Sequence, residues 1–417
     1  MTSSTVHPNA SLSDFTHSNF NIYFVDINKF HRLYEDIIAV LSGGLIDLGF
    51  GCTVRKNLYA SDSINIFLGS TIFAARYLKL TERFKDRPYI IYQLEQLDDQ
   101  HGLLNEWPEY AELLKNARMI WDYAPSSARY LQQKGFSNVY YMPPGFHRNI
   151  ESFRPRQNQD IDVLFYGSTH QRRTHIMKEL NRLGVNVVNL ASKFGAERNR
   201  YIARAKIILN IHAWDDLNVL ETIRLSFLLA NRSFVISENS DHNPYEDSVI
   251  FAPYDQLVNT CLYYLQQPQQ LRDEIAQKGY LSIRKQEMAS ILKSFFDRID
   301  EAKLSGLCSP PGKTIDPYYA QHRQDIVNLV PRAARRILDI GCSGGIVGVD
   351  IKNRQDCHVT GIEMQAEAAQ HAAKLLDLVI CGNAFDILPS FADLLFDCII
   401  MADVVILANV NTDSGRT

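Results

Sequence analysis

The chain has 417 residues, 46% of them hydrophobic and 22% charged, with a formal net charge of −4 and a sequence pI near 6.3. That length and apolar content can furnish two or three cores. The slight acidity, without any long Lys/Arg run, excludes a general nucleic-acid binder, which would show a basic face.

Seven cysteines, odd in number and never in C-x-x-C spacing, read as reduced thiols of a cytoplasmic protein. Residues 1–19 are polar, lack the apolar heart of a signal peptide and are expected to form a flexible arm. No clean apolar run reaches the ~18 to 20 residues of a transmembrane segment. In chain order, Asn21–Ile27 is the first expected strand and Lys29–Leu48 an amphipathic helix that carries Gly43 and Gly44 and stops at residues 49–51. Strands follow at Cys52–Arg55, Ile64–Leu68, Tyr89–Leu94, Met119–Tyr123 and Val139–Met142, with helices near Thr71–Leu80, Glu106–Lys115 and Ser126–Lys134. Such alternation predicts a parallel sheet covered on both faces. Pro143, Pro144 and Gly145, with polar residues 151–159, mark a boundary.

The second half repeats this order. Strands are expected at 161–168, 185–192, 207–212, 234–237 and 249–252, and helices after Gln171, over Ala196–Ala205, from Glu221 and over Gln256–Gln266. Leu271 to Lys303 reads as one long helical tail, free to cross back over the first half. A carboxylate at the start of the helix from Glu221 stands at the carboxyl edge of its sheet, where open α/β sheets bind nucleotides.

Tyr166-Gly167-Ser168, Arg172-Arg173, Asn210-Ile211-His212 and Glu221-Thr222-Ile223-Arg224 follow in that order, with Pro144-Gly145-Phe146 at the junction. Residues ~20–300 thereby resemble a GT-B glycosyltransferase of the bacterial family-1-like group, which implies two Rossmann-like domains at 20–150 and 160–304 and a nucleotide-diphosphate sugar donor. In that family, fusions to a methyltransferase-like module of the kind described below suggest a part in bacterial surface polysaccharide biosynthesis. Donor-binding residues on this reading are Gly167, Ser168, Arg172, Arg173, His212, Glu221 and Arg224. Backbone amides after Gly167 and the guanidinium forks meet the charge of the departing diphosphate, and Glu221 accepts from ribose hydroxyls. The bland alternatives are a solvated basic helix start for the two arginines and a helix-capping acid for Glu221.

Retaining members of the fold carry a second glutamate, and the residue eight before Glu221 is Ala213; Glu238 and Glu246 have the spacing but straddle an Asn/Asp/Pro loop. This tilts the expectation toward inversion, which needs a general base on the acceptor side. Glu95, just after a buried strand, is the first choice, with Asp98 and Asp26 as further candidates and Asp99 and His101 in the same stretch. Asp215 and Asp216, adjacent on a loop, are a poor cage for a cation, so no metal is expected.

After a linker at 305–313, residues 314–417 change character. A strand ends at Asp339-Ile340-Gly341-Cys342-Ser343-Gly344-Gly345, a second ends at Glu363, and Asn383-Ala384 follow a third stretch. These resemble the opening of a class I S-adenosylmethionine (SAM) methyltransferase, with Asp339, Gly341, Ser343, Gly345, Glu363 and Asn383 at its cofactor-binding positions. A dinucleotide motif counted from Gly341 would need glycines where Ser343 and Ile346 stand. Strands that would complete such a sheet are missing after Asp403, so a truncated domain without methyl transfer of its own is expected, its edge open to a partner. The fold class is thus α/β, two Rossmann-like domains followed by a partial methyltransferase-like one. The rival functions are a SAM-dependent methyltransferase whose N-terminal region only docks substrate, and a non-catalytic nucleotide- or sugar-binding scaffold.

Overall fold

The computed structural model describes residues 19–25, 33–69, 71–99, 102–215, 218–299, 322–373, 375–388 and 396–402. Asp26, His101, Asp216, the expected linker, most of the N-terminal arm and the segment from Asp403 lie outside them. The chain divides into two compact units, Met1–Val54 with Asp62–Ser309 and Arg55–Ser61 with Pro310–Thr417.

The first unit holds two sheets. One has six strands in the order β2-β1-β3-β4-β5-β6: β1 Asn19–Val25, β2 Gly51–Lys56, β3 Ile64–Gly69, β4 Ile90–Gln93, β5 Met119–Asp122 and β6 Val139–Tyr141. The other has five in the order β11-β10-β9-β7-β8: β7 Ile161–Tyr166, β8 Val187–Leu190, β9 Ala205–Asn210, β10 Val235–Glu238 and β11 Ile250–Ala252. β1 and β3 to β6 pair in parallel, as do all neighbours in the second sheet. Helices cover both faces, so β3, β4, β5 and β10 are buried at every residue and read as near-continuous apolar runs. Each sheet with its helices is a doubly wound α/β layer, the architecture the sequence alternation leads one to expect.

The strand order reverses between β7 and β9. β7 runs on to β8 on one side, while β9 and β10 build outward on the other. A switch of this kind opens a crevice outside the carboxyl ends of the two central strands, here beyond Tyr166 and Asn210.

Helix ends depart from the sequence pattern where long-range packing decides. The first helix runs over Glu35–Asp47 and keeps its glycines because other side chains press on them: a Cβ at Gly43 would meet the His147 ring, and one at Gly44 would lie 2.7 Å from Met288 Cγ. The helix expected near Thr71–Leu80 is two, Thr71–Tyr77 and Leu80–Arg83, parted at Lys79, whose φ is +49°. The long tail breaks likewise, into Gln269–Arg284 and Met288–Phe296. At the break Gln286 O accepts from Phe146 N and Met288 N donates to Phe146 O, each at 2.8 Å. Phe295 then meets Trp121 and Tyr140, and Phe296 meets Phe20 and Phe50, so the last helix does cross back onto the first sheet.

The second unit is a parallel sheet of four strands in the order β14-β13-β12-β15: β12 Arg336–Ile340, β13 His358–Glu363, β14 Leu378–Cys381 and β15 Cys398–Ile400. β12 is the first strand, and the chain turns outward to β13 and β14 before β15 joins its other side. This is again a switch point, at Ile340 and Ile400. The six described cysteines are free thiols. Among the described residues no helix is long and apolar enough to cross a membrane.

Candidate functional site

Four sequence-expected residues meet at the β7/β9 crevice. Glu221 occupies the cap position before the helix Thr222–Ala230, but its side chain makes no capping bond. One carboxylate oxygen instead takes Arg173 Nη2 at 3.1 Å and the other takes Arg224 Nη1 at 2.8 Å. Arg224 lies one turn along the same helix, which is why it reaches both Glu221 and Asn210 Oδ1, the latter at 2.9 Å. Its Nη2 carries no hydrogen bond among the described residues, and a Cβ at Gly167 would lie 3.0 Å from it. Gly167 has φ +136°, a conformation open to glycine alone without strain.

Arg173 is buried to 3% exposure, and its fork is spent inside the protein. Nε donates to Ile211 O at 2.8 Å, and Nη1 donates to the carbonyl and hydroxyl oxygens of Ser168, both at 3.0 Å. Burial pulls its pKa down. It ties the loop after β7, the end of β9 and Glu221 into one rigid piece.

Arg172 points elsewhere. It forms a bidentate pair with Glu238 at 2.5 and 2.7 Å, bonds Asp215 and His212 O, and lies 3.9 Å from the centre of the Tyr254 ring. Burial would lower its pKa, but the bonds to Glu238 and Asp215 raise it instead. Glu238 also accepts the His212 backbone N–H at 3.0 Å. His212 is buried, with Nε2 near Asn239 O (2.9 Å) and Ser240 Oγ (3.1 Å). Its Nδ1, the Tyr166 hydroxyl and the Thr222 hydroxyl are buried without a hydrogen-bond partner among the described residues. All three belong to residues that border the crevice, where a polar ligand would satisfy them.

Across from Glu221 stands the first half. Gln96 donates to Val219 O at 3.4 Å, the Tyr141 and His242 rings meet at 6.4 Å, and Arg198 pairs with Asp36 at 2.8 Å. The half-buried Glu95 and Asp98 lie on this same 94–99 stretch, and burial raises the Glu95 pKa. Asp99 pairs with Lys134 at 2.5 Å. Burial is also the main cause of the high pKa of Tyr123, with the charges of Glu221, Asp122 and Glu95 adding to it.

Pattern reading set Glu238 aside as half of a chance spacing and passed over Asp122. Glu238 ends β10 and Asp122 ends β5, both at carboxyl edges, and that position was the signal available. Asp122 has no solvent exposure; it accepts from Gln93 Nε2 and Ala124 N at 2.9 Å each, and burial pushes its pKa up to about 7. The side chain of Glu246 lies outside what the structure describes. Among the described residues no group of three or more His, Cys, Asp or Glu could hold a metal ion.

In the second unit Asp339 ends the core of β12, and Gly341, Ser343 and Gly345 take φ of +76°, +52° and +84° in the turn that follows. Glu363 grips this turn: its oxygens accept from Ser343 N at 2.9 Å and Gln365 N at 2.7 Å. Asp339 is 3% exposed, with one oxygen lacking a hydrogen-bond partner among the described residues; burial first, and then the Glu363 charge, raise its pKa to about 7. Asn383 caps the short helix Ala384–Ile387 by accepting from Phe385 N at 3.0 Å.

Residues 338–412 match a methyltransferase-domain family. The uncharacterized protein L140 of Acanthamoeba polyphaga mimivirus is 30% identical over 302 residues, 68% of this chain and 88% of that protein. The chain belongs to the L140 family. A further mimivirus protein, the uncharacterized R358, is 35% identical to this L140-family chain over 115 residues, 25% of this chain and 40% of its own. Among solved structures, T4 phage BGT in complex with UDP-glucose is similar with a TM-score of 0.41 and 12% identity, over 70% of this chain and 98% of that one. AviGT4, a glycosyltransferase involved in avilamycin A biosynthesis, is similar with a TM-score of 0.40 and 13% identity, over 70% of this chain and 99% of that one.

Proposed function

We propose that the first unit is a glycosyltransferase that moves a sugar from a nucleotide-diphosphate sugar to a hydroxyl of a glycan, lipid-linked or protein acceptor. The observation that carries this reading is Glu221, a carboxylate fixed by Arg173 and Arg224 at the carboxyl edge of a doubly wound sheet. Glu221 accepts from the ribose hydroxyls, and Gly167, Ser168 and His212 line the donor. Arg224, whose Nη2 is unspent, faces the diphosphate and meets its charge as the glycosidic bond breaks. Arg172 and Arg173 hold these groups in place rather than touching phosphate themselves, since their donors are engaged within the protein.

On an inverting course, Glu95 takes the proton from the acceptor hydroxyl while its oxygen attacks the anomeric carbon and the nucleoside diphosphate departs. Its raised pKa and its place on the stretch that touches Val219 favour Glu95 over Asp98. No metal enters this scheme, because guanidinium and amide groups answer the leaving charge. Bacterial surface polysaccharide biosynthesis remains an implication of the resemblance alone; the curated relatives above are viral.

Calorimetry with uridine, guanosine and thymidine diphosphates tests the reading. One of them should bind, and Glu221→Ala should weaken it tenfold or more while far-UV circular dichroism stays unchanged. Unaltered affinity in that variant, or no binding of any, refutes it.

A second activity is suggested by the β12 turn. Its positive-φ positions and the unpartnered oxygen of Asp339 fit SAM, which supplies a methyl group when bound. Asp339 and Glu363 would hold it, with Gly341, Ser343, Gly345 and Asn383 around it. SAM calorimetry on the full chain, beside the donor titration, separates this from the transferase and from a scaffold that turns over neither.

A further inference from the structure

At the far end of the helix Thr222–Ala230 from Glu221, three arginines gather on one ring. Glu221 precedes that helix and Arg232 follows it, so ~15 Å of helix separates the two. Gln277, Tyr280 and Arg284 share one face of the helix Gln269–Arg284, spaced three and four residues apart. Tyr280 is buried, and the guanidinium carbons of Arg232, Arg154 and Arg284 lie 3.3, 5.6 and 5.6 Å from the centre of its ring.

The charges there do not balance. Glu151 takes the Tyr280 hydroxyl at 2.7 Å and Arg154 Nη2 at 3.5 Å, and no other carboxylate pairs with the cluster among the described residues. Arg284 is exposed, and its side chain makes no ion pair or hydrogen bond among the described residues. Arg232 spends Nε on Gln277 Oε1 at 2.9 Å. Its Nη1 is buried, and neither Nη1 nor Nη2 has a hydrogen-bond partner among the described residues. An aromatic ring has two negative faces and a positive edge, so one tyrosine does not answer three cations. Helix carboxyl ends favour the cations of Arg232 and Arg284, but Arg154 lies on the connection between the two sheets and has no such support.

The backbone adds a separate sign. Arg232 takes φ +55° directly after its helix, a left-handed position usually left to glycine. A large side chain kept there against the backbone preference points to a task for that side chain.

We propose that this arginine cluster binds a phosphate group, held by the forks of Arg154 and Arg284 with Arg232 behind them. Guanidinium forks match phosphate oxygens in pairs, and a phosphate brings the negative charge the cluster lacks. The slight acidity of the whole chain does not oppose this, because salt confines such attraction to roughly 8 Å. The phosphate has two sources, a free phosphate compound or the headgroup of a lipid. The site stands at the opposite end of the helix from the donor crevice and does not rest on the transferase reading.

Calorimetry of the full chain with inorganic phosphate and glycerol phosphate, and co-sedimentation with vesicles of phosphatidylglycerol or of phosphatidylcholine, test this. The soluble phosphates or the phosphatidylglycerol vesicles should bind. Arg154→Gln combined with Arg284→Gln should weaken that binding about tenfold or more, the size of a lost charge-assisted hydrogen bond. Arg224→Ala, at the donor crevice, should leave it unmoved. Binding of the soluble phosphates assigns the site to a free phosphate compound, and binding of the phosphatidylglycerol vesicles alone assigns it to a lipid headgroup. Absence of binding by every probe, binding that survives in the double variant, or a loss confined to Arg224→Ala overturns the proposal. Should far-UV circular dichroism show the double variant unfolded, the single substitutions, each at an exposed side chain, give the same decision.

Discussion

Asp122 accepts a hydrogen bond from the side-chain amide of Gln93 at 2.9 Å, and neither residue has any solvent exposure. The same amide donates to Glu95 O at 2.8 Å, so a buried carboxylate at the end of β5 shapes the stretch that bears the proposed base. Burial raises the Asp122 pKa to about 7 from an ordinary 3.8. Between those values the native protein holds a proton that the unfolded chain has released. Stability from this group therefore falls as pH rises from about 4 to about 7 and is level above, by at most ~1.4 kcal/mol per pH unit. Asp122→Asn should flatten that slope, so its stability relative to the parent climbs across the window. Urea unfolding of both proteins at pH 5, 6, 7 and 8 measures it; parallel curves would contradict it.

Arg173 serves four acceptors on three segments. A lysine has the charge but not the planar fork. Arg173→Lys should cost ~2–4 kcal/mol in urea unfolding, near the loss expected when a buried charged network is broken. Donor affinity should fall with it, because Ser168 and Glu221 lose their common support. A variant that keeps full stability would show that the fork is dispensable.

Gly167 has both a positive φ and a guanidinium at its side. Gly167→Ala should therefore destabilise by ~1–3 kcal/mol through backbone strain and push Arg224 away. The donor KM should rise more than tenfold. A donor KM unchanged in Gly167→Ala would show that the turn and Arg224 tolerate a Cβ at this position.

Ser343 holds φ +52° in the turn after β12, where its N–H meets Glu363. A non-glycine residue there costs ~1–2 kcal/mol, less the greater freedom glycine has when unfolded. Ser343→Gly keeps the N–H and should stabilise the second unit by up to ~1 kcal/mol. A lower midpoint in thermal unfolding would show that the serine hydroxyl matters more than the strain.

The alternation of strands and helices was legible because each buried strand is a short apolar run closed by polar or glycine residues, as in IDVLFYG. Glu221 was legible for the same reason: a polar loop, an acid and an amphipathic helix follow β9 in sequence. The Arg172–Glu238 pair was not, since 66 residues separate its members and only the sheet brings them together. The break at 285–287 had no local sign either. Residues 271–303 favour helix throughout, and a backbone exchange with Phe146, far away in sequence, outweighs that preference. Asp122 was hidden by its company, for MIWD reads as a strand with a polar end.

Phe295 and Phe296 lie among Phe20, Phe50 and Trp121, so a piece of the first lobe is encoded about 275 residues after that lobe begins. During synthesis, β1 to β6 leave the ribosome with a gap in their aromatic cluster that nothing nascent can fill. Domains made in sequence usually close one after another; here the lobe made first must wait for the lobe made second. Severing the two at the junction would give one lobe with a hole and another with a dangling apolar helix.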